Sequence, residues 1–170
     1  MQRHAVISIA LVLAACGGER VTVADPVACD IPGLQNCRQS GDVVFSSQPS
    51  PAAFEQLKNQ GFTTVVSTRG LTELDWDERA LVESLGMRFV QIPMENPVTG
   101  ITDAQVTALD SVLTAQQGPI VLHCGSGNRV AGLWGAWLAE RNGVDRAEAL
   151  RLAELAGMTR VRPALEQRLR

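Results

Sequence analysis

The sequence predicts an α/β domain, with a mostly parallel central sheet of about four to five strands flanked by helices. Three observations point there. After Gly41, short runs rich in Val, Ile and Phe alternate with longer segments whose apolar residues recur at helical spacing. Those longer segments are bounded by caps and glycine stops, not by the two-residue turns that close hairpins. The last apolar run, residues 120–123, leads through a glycine-containing loop straight into a helix, and open sheets of this kind carry their sites at the carboxyl ends of strands.

Each element has its own signal. Strands are expected over 42–45, 63–67, 88–92 and 120–123. Ser50-Pro51 opens a helix that ends at Gly61 with Phe54 and Leu57 inward, and a second helix over 74–85 is stopped by Gly86. Thr102-Asp103-Ala104-Gln105 reads as a capping box, followed by Val106, Leu109 and Leu113 on one face. Val130, Leu133, Trp134, Trp137 and Leu138 recur as the stripe of a core helix. Asp145 caps a further helix that ends near Gly157, and Pro163 begins a short last one.

The chain has 170 residues, enough for one domain with a substantial core. Its formal charge of −3 and the lack of a basic run argue against a nucleic-acid partner. Arg160, Arg162, Arg168 and Arg170 cluster near the C-terminus, where a solvated helix face is expected, with anionic headgroups as an alternative contact.

Residues 1–15 read as an export signal: a short basic start, an apolar stretch too short to span a bilayer, then small residues. Leu13-Ala14-Ala15-Cys16 resembles the lipobox of bacterial lipoproteins, which implies a lipid-modified Cys16 and a membrane partner through that anchor. The Gly17-Gly18 start lacks an inner-membrane retention aspartate, so the expected location is the outer membrane, facing the periplasm. Residues 16–40 are then a tether and lead-in, and 41–170 the domain. Of the four cysteines, Cys29 and Cys37 lie close together, and an oxidising compartment makes their pairing the natural expectation. The competing pairing of either with Cys124 would mask that thiol.

Function is read mainly from His123-Cys124-Gly125-Ser126-Gly127-Asn128-Arg129. A cysteine at a strand end, two glycines that let the backbone curl and an arginine in the first helical turn would aim N–H groups and a guanidinium at one point. That is a cradle for an oxyanion beside the Cys124 sulfur, with Gly125, Ser126, Gly127 and Asn128 as its walls. His123 is expected behind the loop, hydrogen-bonded to backbone. Arg69, after the second predicted strand, either adds charge to the pocket or pairs with Glu73 or Asp75.

Gln48-Pro49-Ser50-Pro51, the run from Leu57 through Gly61-Phe62-Thr63-Thr64-Val65-Val66-Ser67-Thr68-Arg69, Phe89 to Pro93, and Val121-Leu122-His123-Cys124 together resemble the dual-specificity and tyrosine phosphatase superfamily over about residues 42 to 141. More closely, the chain resembles the bacterial phosphatase-like domain of beta-lactamase hydrolase-like proteins. The resemblance implies a cysteine phosphatase-like fold, Cys124 as nucleophile, Arg129 and loop amides holding the phosphoryl oxygens, a loop acid protonating the leaving group, a phosphorylated small molecule or protein as substrate, and no cofactor or metal. Asn96 stands near the usual position of that acid, which leaves Glu95 as the candidate and Asp103 in reserve. Val130 stands where many relatives have Ser or Thr, and four residues separate Cys124 from Arg129 where classical phosphatases have five. Loops of this length also occur in rhodaneses, so a sulfurtransferase using a Cys124 persulfide and a non-catalytic anion-binding module remain alternatives.

Overall fold

The computed structural model describes residues 23–95 and 100–170. The expected signal, Cys16 and Asn96 lie outside the described residues. In chain order the elements are β1 (Val27–Ala28), β2 (Arg38–Ser40), β3 (Val43–Ser46), α1 (Pro51–Asn59), β4 (Thr64–Ser67), α2 (Glu78–Ser84), β5 (Arg88–Gln91), α3 (Asp103–Thr114), β6 (Ile120–His123), α4 (Asn128–Glu140), α5 (Arg146–Leu155) and α6 (Arg162–Arg168).

The four strands expected from sequence are all present and parallel: β3 pairs with β6, β6 with β4, and β4 with β5. Strand β6 sits between the earlier β3 and β4, so the chain reverses its direction of winding there and leaves a crevice at the carboxyl ends. The sheet has six strands, because the lead-in adds β1 and β2 antiparallel on the β3 edge. These two were illegible because they are short and carry polar residues such as Arg38 and Gln39, with no apolar alternation. The lead-in therefore belongs to the folded domain, and its Ile31 and Cys37 are buried with Phe54 and Leu57.

Alternation along the strands builds a core on each face. Val44, Val65 and Val121 meet α1 and α2 through Phe54, Leu57 and Val82. Phe45, Val66, Ile120 and Leu122 meet the other helices, where Trp134 and Trp137 are fully buried and the Trp134 ring lies 4.9 Å from Phe45. Gly132 of α4 has no Cβ to collide with Val161, which lets the segment before α6 press directly onto α4. The expected capping box at Thr102 and Gln105 forms, with both reciprocal bonds.

Helix α2 is shorter than the 74–85 expected, because Asp77 accepts from the amide of Ala80 at 2.9 Å and fixes the start there. Residues 71–76 are freed from helix and form a turn-rich excursion that carries Glu73 to the sheet edge. Cys29 and Cys37 are disulfide-bonded, and Cys124 is free, so the pairing that would mask it does not occur. Reducing the disulfide, whose partners are 8 residues apart in sequence, should lower unfolding free energy by roughly 2–3 kcal/mol. Urea denaturation with and without reductant measures this.

Candidate active site

The loop from Cys124 to Arg129 leaves the buried end of β6 and turns into α4 at Gly127, whose φ of 84° lies in the left-handed region. A side chain there would also approach the Ser46 carbonyl at 3.5 Å. The turn bends the Gly127 amide back to donate to Cys124 Sγ at 3.1 Å. An isolated antiparallel bridge between Ser47 and Ser126 ties the loop to the end of β3. The first amides of α4 have no intrahelical acceptor and open toward the crevice. Cys124 is only 1% exposed and belongs to the buried core.

Above the loop is a cavity of about 530 Å³ walled by Glu73, Glu95, Gly125, Ser126, Asn128 and Arg129, together with the Arg160–Val161 segment. Of the residues the sequence singled out, Glu95, Gly125, Ser126, Asn128 and Arg129 line this cavity. Glu95 is exposed and lines the cavity.

Arg129 is held more firmly than its motif implies. Its Nη1 donates to Glu73 Oε1 at 2.6 Å and to the Met94 carbonyl at 3.0 Å, while Nη2 donates to Glu73 Oε2 at 2.7 Å. This end-on fork uses three of the five guanidinium protons and leaves Nε–H and one Nη2–H. That remaining edge faces the loop: a Cβ at Gly125 would lie 3.8 Å from Nη2. The hydrogen bonds from Arg129, against some opposing burial, lower the Glu73 pKa to about 2, so the carboxylate stays charged through the neutral range.

Arg69 is not part of the cavity wall. It donates to the Glu73 carbonyl and to Gln48 Oε1 at 3.1 Å, and its Nε lies 3.5 Å from Glu73 Oε2. Of the two placements the sequence allowed, the pairing with Glu73 is the one adopted. Asn128 is likewise structural: its Oδ1 accepts from the Thr159 amide at 2.7 Å, the Thr159 hydroxyl at 3.2 Å and the Val161 amide at 3.4 Å. Asn128→Ala should cost roughly 1–3 kcal/mol of stability by stranding those donors, whereas Asn128→Asp retains the acceptor. Chemical denaturation of both variants reads the difference.

His123 is fully buried, as expected, but neither ring nitrogen makes a hydrogen bond of normal geometry, the expected one to backbone included. Nε2 lies 3.3 Å from Oε1 of Glu78. Burial, reinforced by the positive charge of Arg69, lowers the His123 pKa to about 3, and burial raises that of Glu78. The imidazole is therefore uncharged at neutral pH, and the contact is not a pair of opposite full charges. Sequence reasoning missed Glu78, whose carboxylate also accepts from Gln48 Nε2 at 2.5 Å. It also missed Glu73 as the partner of Arg129, because the two lie 56 residues apart. Asp103 pairs with Arg168, away from the cavity, and that arginine also binds Glu140. Arg168 thus crosslinks elements where a solvated face was expected.

The mostly parallel sheet flanked by helices, with the Cys124 loop at its carboxyl edge, is a cysteine phosphatase-like α/β fold. Solved structures share the fold. A candidate phosphatase from Neisseria meningitidis Z2491 is 22% identical, covers 82% of this chain and 99% of its own, and superposes with a TM-score of 0.62. TpbA of P. aeruginosa is also 22% identical, with 84% and 89% coverage and a TM-score of 0.65. Within that class, residues 36–140 match the family described as beta-lactamase hydrolase-like protein, phosphatase-like domain, and the chain belongs to it. A relative from Agrobacterium fabrum (strain C58), named beta-lactamase hydrolase-like protein, is 28% identical over 97 residues, which is 54% of this chain and 22% of the relative. The chain thus corresponds to about a fifth of that longer protein.

Proposed function

We propose that the protein is a cysteine-dependent phosphatase that hydrolyses phosphate monoesters through a phosphocysteine intermediate. The observation that carries this reading is the cradle itself: Cys124 Sγ beneath a loop whose Gly127 amide points at it, with the free edge of Arg129 turned toward the same loop. The family of phosphatase-like domains supports it, as does a cysteine-to-serine variant of TpbA crystallised with phosphotyrosine.

In the first step the Cys124 thiolate forms an S–P bond as the ester P–O bond breaks. Glu95 gives a proton to the departing alkoxide, while loop amides and Arg129 hold the equatorial oxygens. In the second, water attacks phosphorus, Glu95 takes its proton, and the thiolate leaves with the P–S electron pair. Val130 is buried and offers no hydroxyl to assist that departure, which slows turnover. A lipid on Cys16 would tether this activity at the cell envelope, facing the periplasm, and the Cys29–Cys37 disulfide is consistent with that compartment.

The test is to offer the purified protein p-nitrophenyl phosphate and, separately, thiosulfate with cyanide. Phosphate release is expected. Thiocyanate formation without phosphate release would assign sulfur transfer on a Cys124 persulfide. Background rates in both, with phosphate still raising the melting temperature, would leave an anion-binding module.

A further inference from the structure

Arg160 differs from Arg129 and Arg69 at the cradle. Arg129 and Arg69 are both bound to Glu73, whereas Arg160 is exposed and no described carboxylate pairs with it. It is nevertheless not a loose surface residue. Its neighbours on both sides are fixed to α4, Thr159 and Val161 through Asn128 Oδ1, and Val161 also against Gly132. Asn128 immediately precedes Arg129, so the residue that starts the helix behind the cradle also holds the turn that presents Arg160.

Two cavities meet at this arginine. One is the site cavity of about 530 Å³; the other, of about 290 Å³, lies on the β2 side of the loop and is lined by Asn36, Arg38, Ser126, Asn128 and Arg160. Arg38 donates to the Cys37 carbonyl at 2.9 Å and, like Arg160, has no described carboxylate partner. The two sides of the cradle therefore differ in charge. The loops after β4 and β5 supply Glu73 and Glu95, and the β2 side supplies two uncompensated guanidinium groups. Unpaired arginines held beside an oxyanion site favour a second anion, and the carboxylates opposite disfavour one on their side.

We infer that Arg160, assisted by Arg38, forms a second anion subsite, and that the preferred substrates are phosphomonoesters carrying a second phosphoryl group directed toward the β2 side of the cradle. This rests on the phosphatase reading above and deepens it.

Two measurements keep its failure separate from failure of that reading. Turnover is compared for phenyl phosphate and for 1,3- and 1,4-phenylene bisphosphate, in the wild type and in Arg160→Met. The wild type should favour at least one bisphosphate in kcat/KM by about tenfold, and Arg160→Met should erase that preference. Independently of turnover, inorganic pyrophosphate should bind the wild type more tightly than phosphate does by calorimetry, and the advantage should vanish in Arg160→Met and shrink in Arg38→Met. Equal treatment of mono- and bisphosphates, equal binding of the two inorganic anions, or a proportional loss toward all ligands in Arg160→Met would overturn the subsite. If no aryl phosphate turns over, calorimetry alone decides: a pyrophosphate preference that needs Arg160 upholds the subsite even as the phosphatase reading falls.

Discussion

Serine at position 124 is expected to lower kcat for aryl phosphate hydrolysis by on the order of 10³-fold or more, since a serine hydroxyl is a weak nucleophile unless a base activates it. The imidazole of His123 cannot serve as that base, because it is wholly buried against Glu78 and does not line the cavity. The change should leave the fold intact. Serine is nearly isosteric, and the Gly127 amide that donates to Sγ at 3.1 Å can donate to a hydroxyl instead. Initial rates, checked against an unchanged urea midpoint and retained phosphate binding, measure the effect. Acid quenching of the wild type during turnover should trap a protein heavier by one phosphoryl group on the Cys124 peptide. Activity in Cys124→Ser within tenfold of the wild type would place the nucleophile elsewhere.

The cradle was legible because its geometry is local: strand end, glycines, arginine and helix start follow one another in a single run, and each has a backbone reason to be there. The parallel strands were legible because burial on both faces makes them continuous apolar runs, as in Val43–Ser46 and Ile120–His123. What supports the cradle was not legible. Glu73 and Arg160 lie in turns outside the helices and Glu78 is the first residue of α2, and where each meets the cradle follows from tertiary contacts. Asp77 decides where α2 begins and so where Glu73 falls; Asn128, which the sequence set in the pocket wall and which lines the cavity, also anchors the Thr159 turn. Arg69 was open between two roles for the same reason, since only the fold brings Gln48 to its guanidinium.

Glu73→Ala is expected to lower kcat/KM toward phosphomonoesters by on the order of 10²-fold, although Glu73 touches neither the sulfur nor the phosphoryl position. Its carboxylate grips the end of the Arg129 guanidinium at 2.6 and 2.7 Å and leaves the side edge free for oxygens, so it acts as a positioning residue. Without it, Arg129 retains only the Met94 carbonyl as a fixed partner and samples orientations that do not meet the cradle. Stability should change little, because the pair is partly solvated, with the Glu73 side chain 32% exposed. The pH dependence has a definite sign. The Glu73 pKa is depressed to about 2 from an ordinary value of 4.5, so the pair's contribution is complete above about pH 4.5 and is lost as pH falls toward 2. Wild-type activity should therefore show no loss from this carboxylate between pH 5 and 7, and Glu73→Gln, which keeps an acceptor but not the charge, should fall between wild type and Glu73→Ala across that range. A rise in activity in Glu73→Ala would reverse the assignment and make Glu73 a plug that competes with substrate for Arg129.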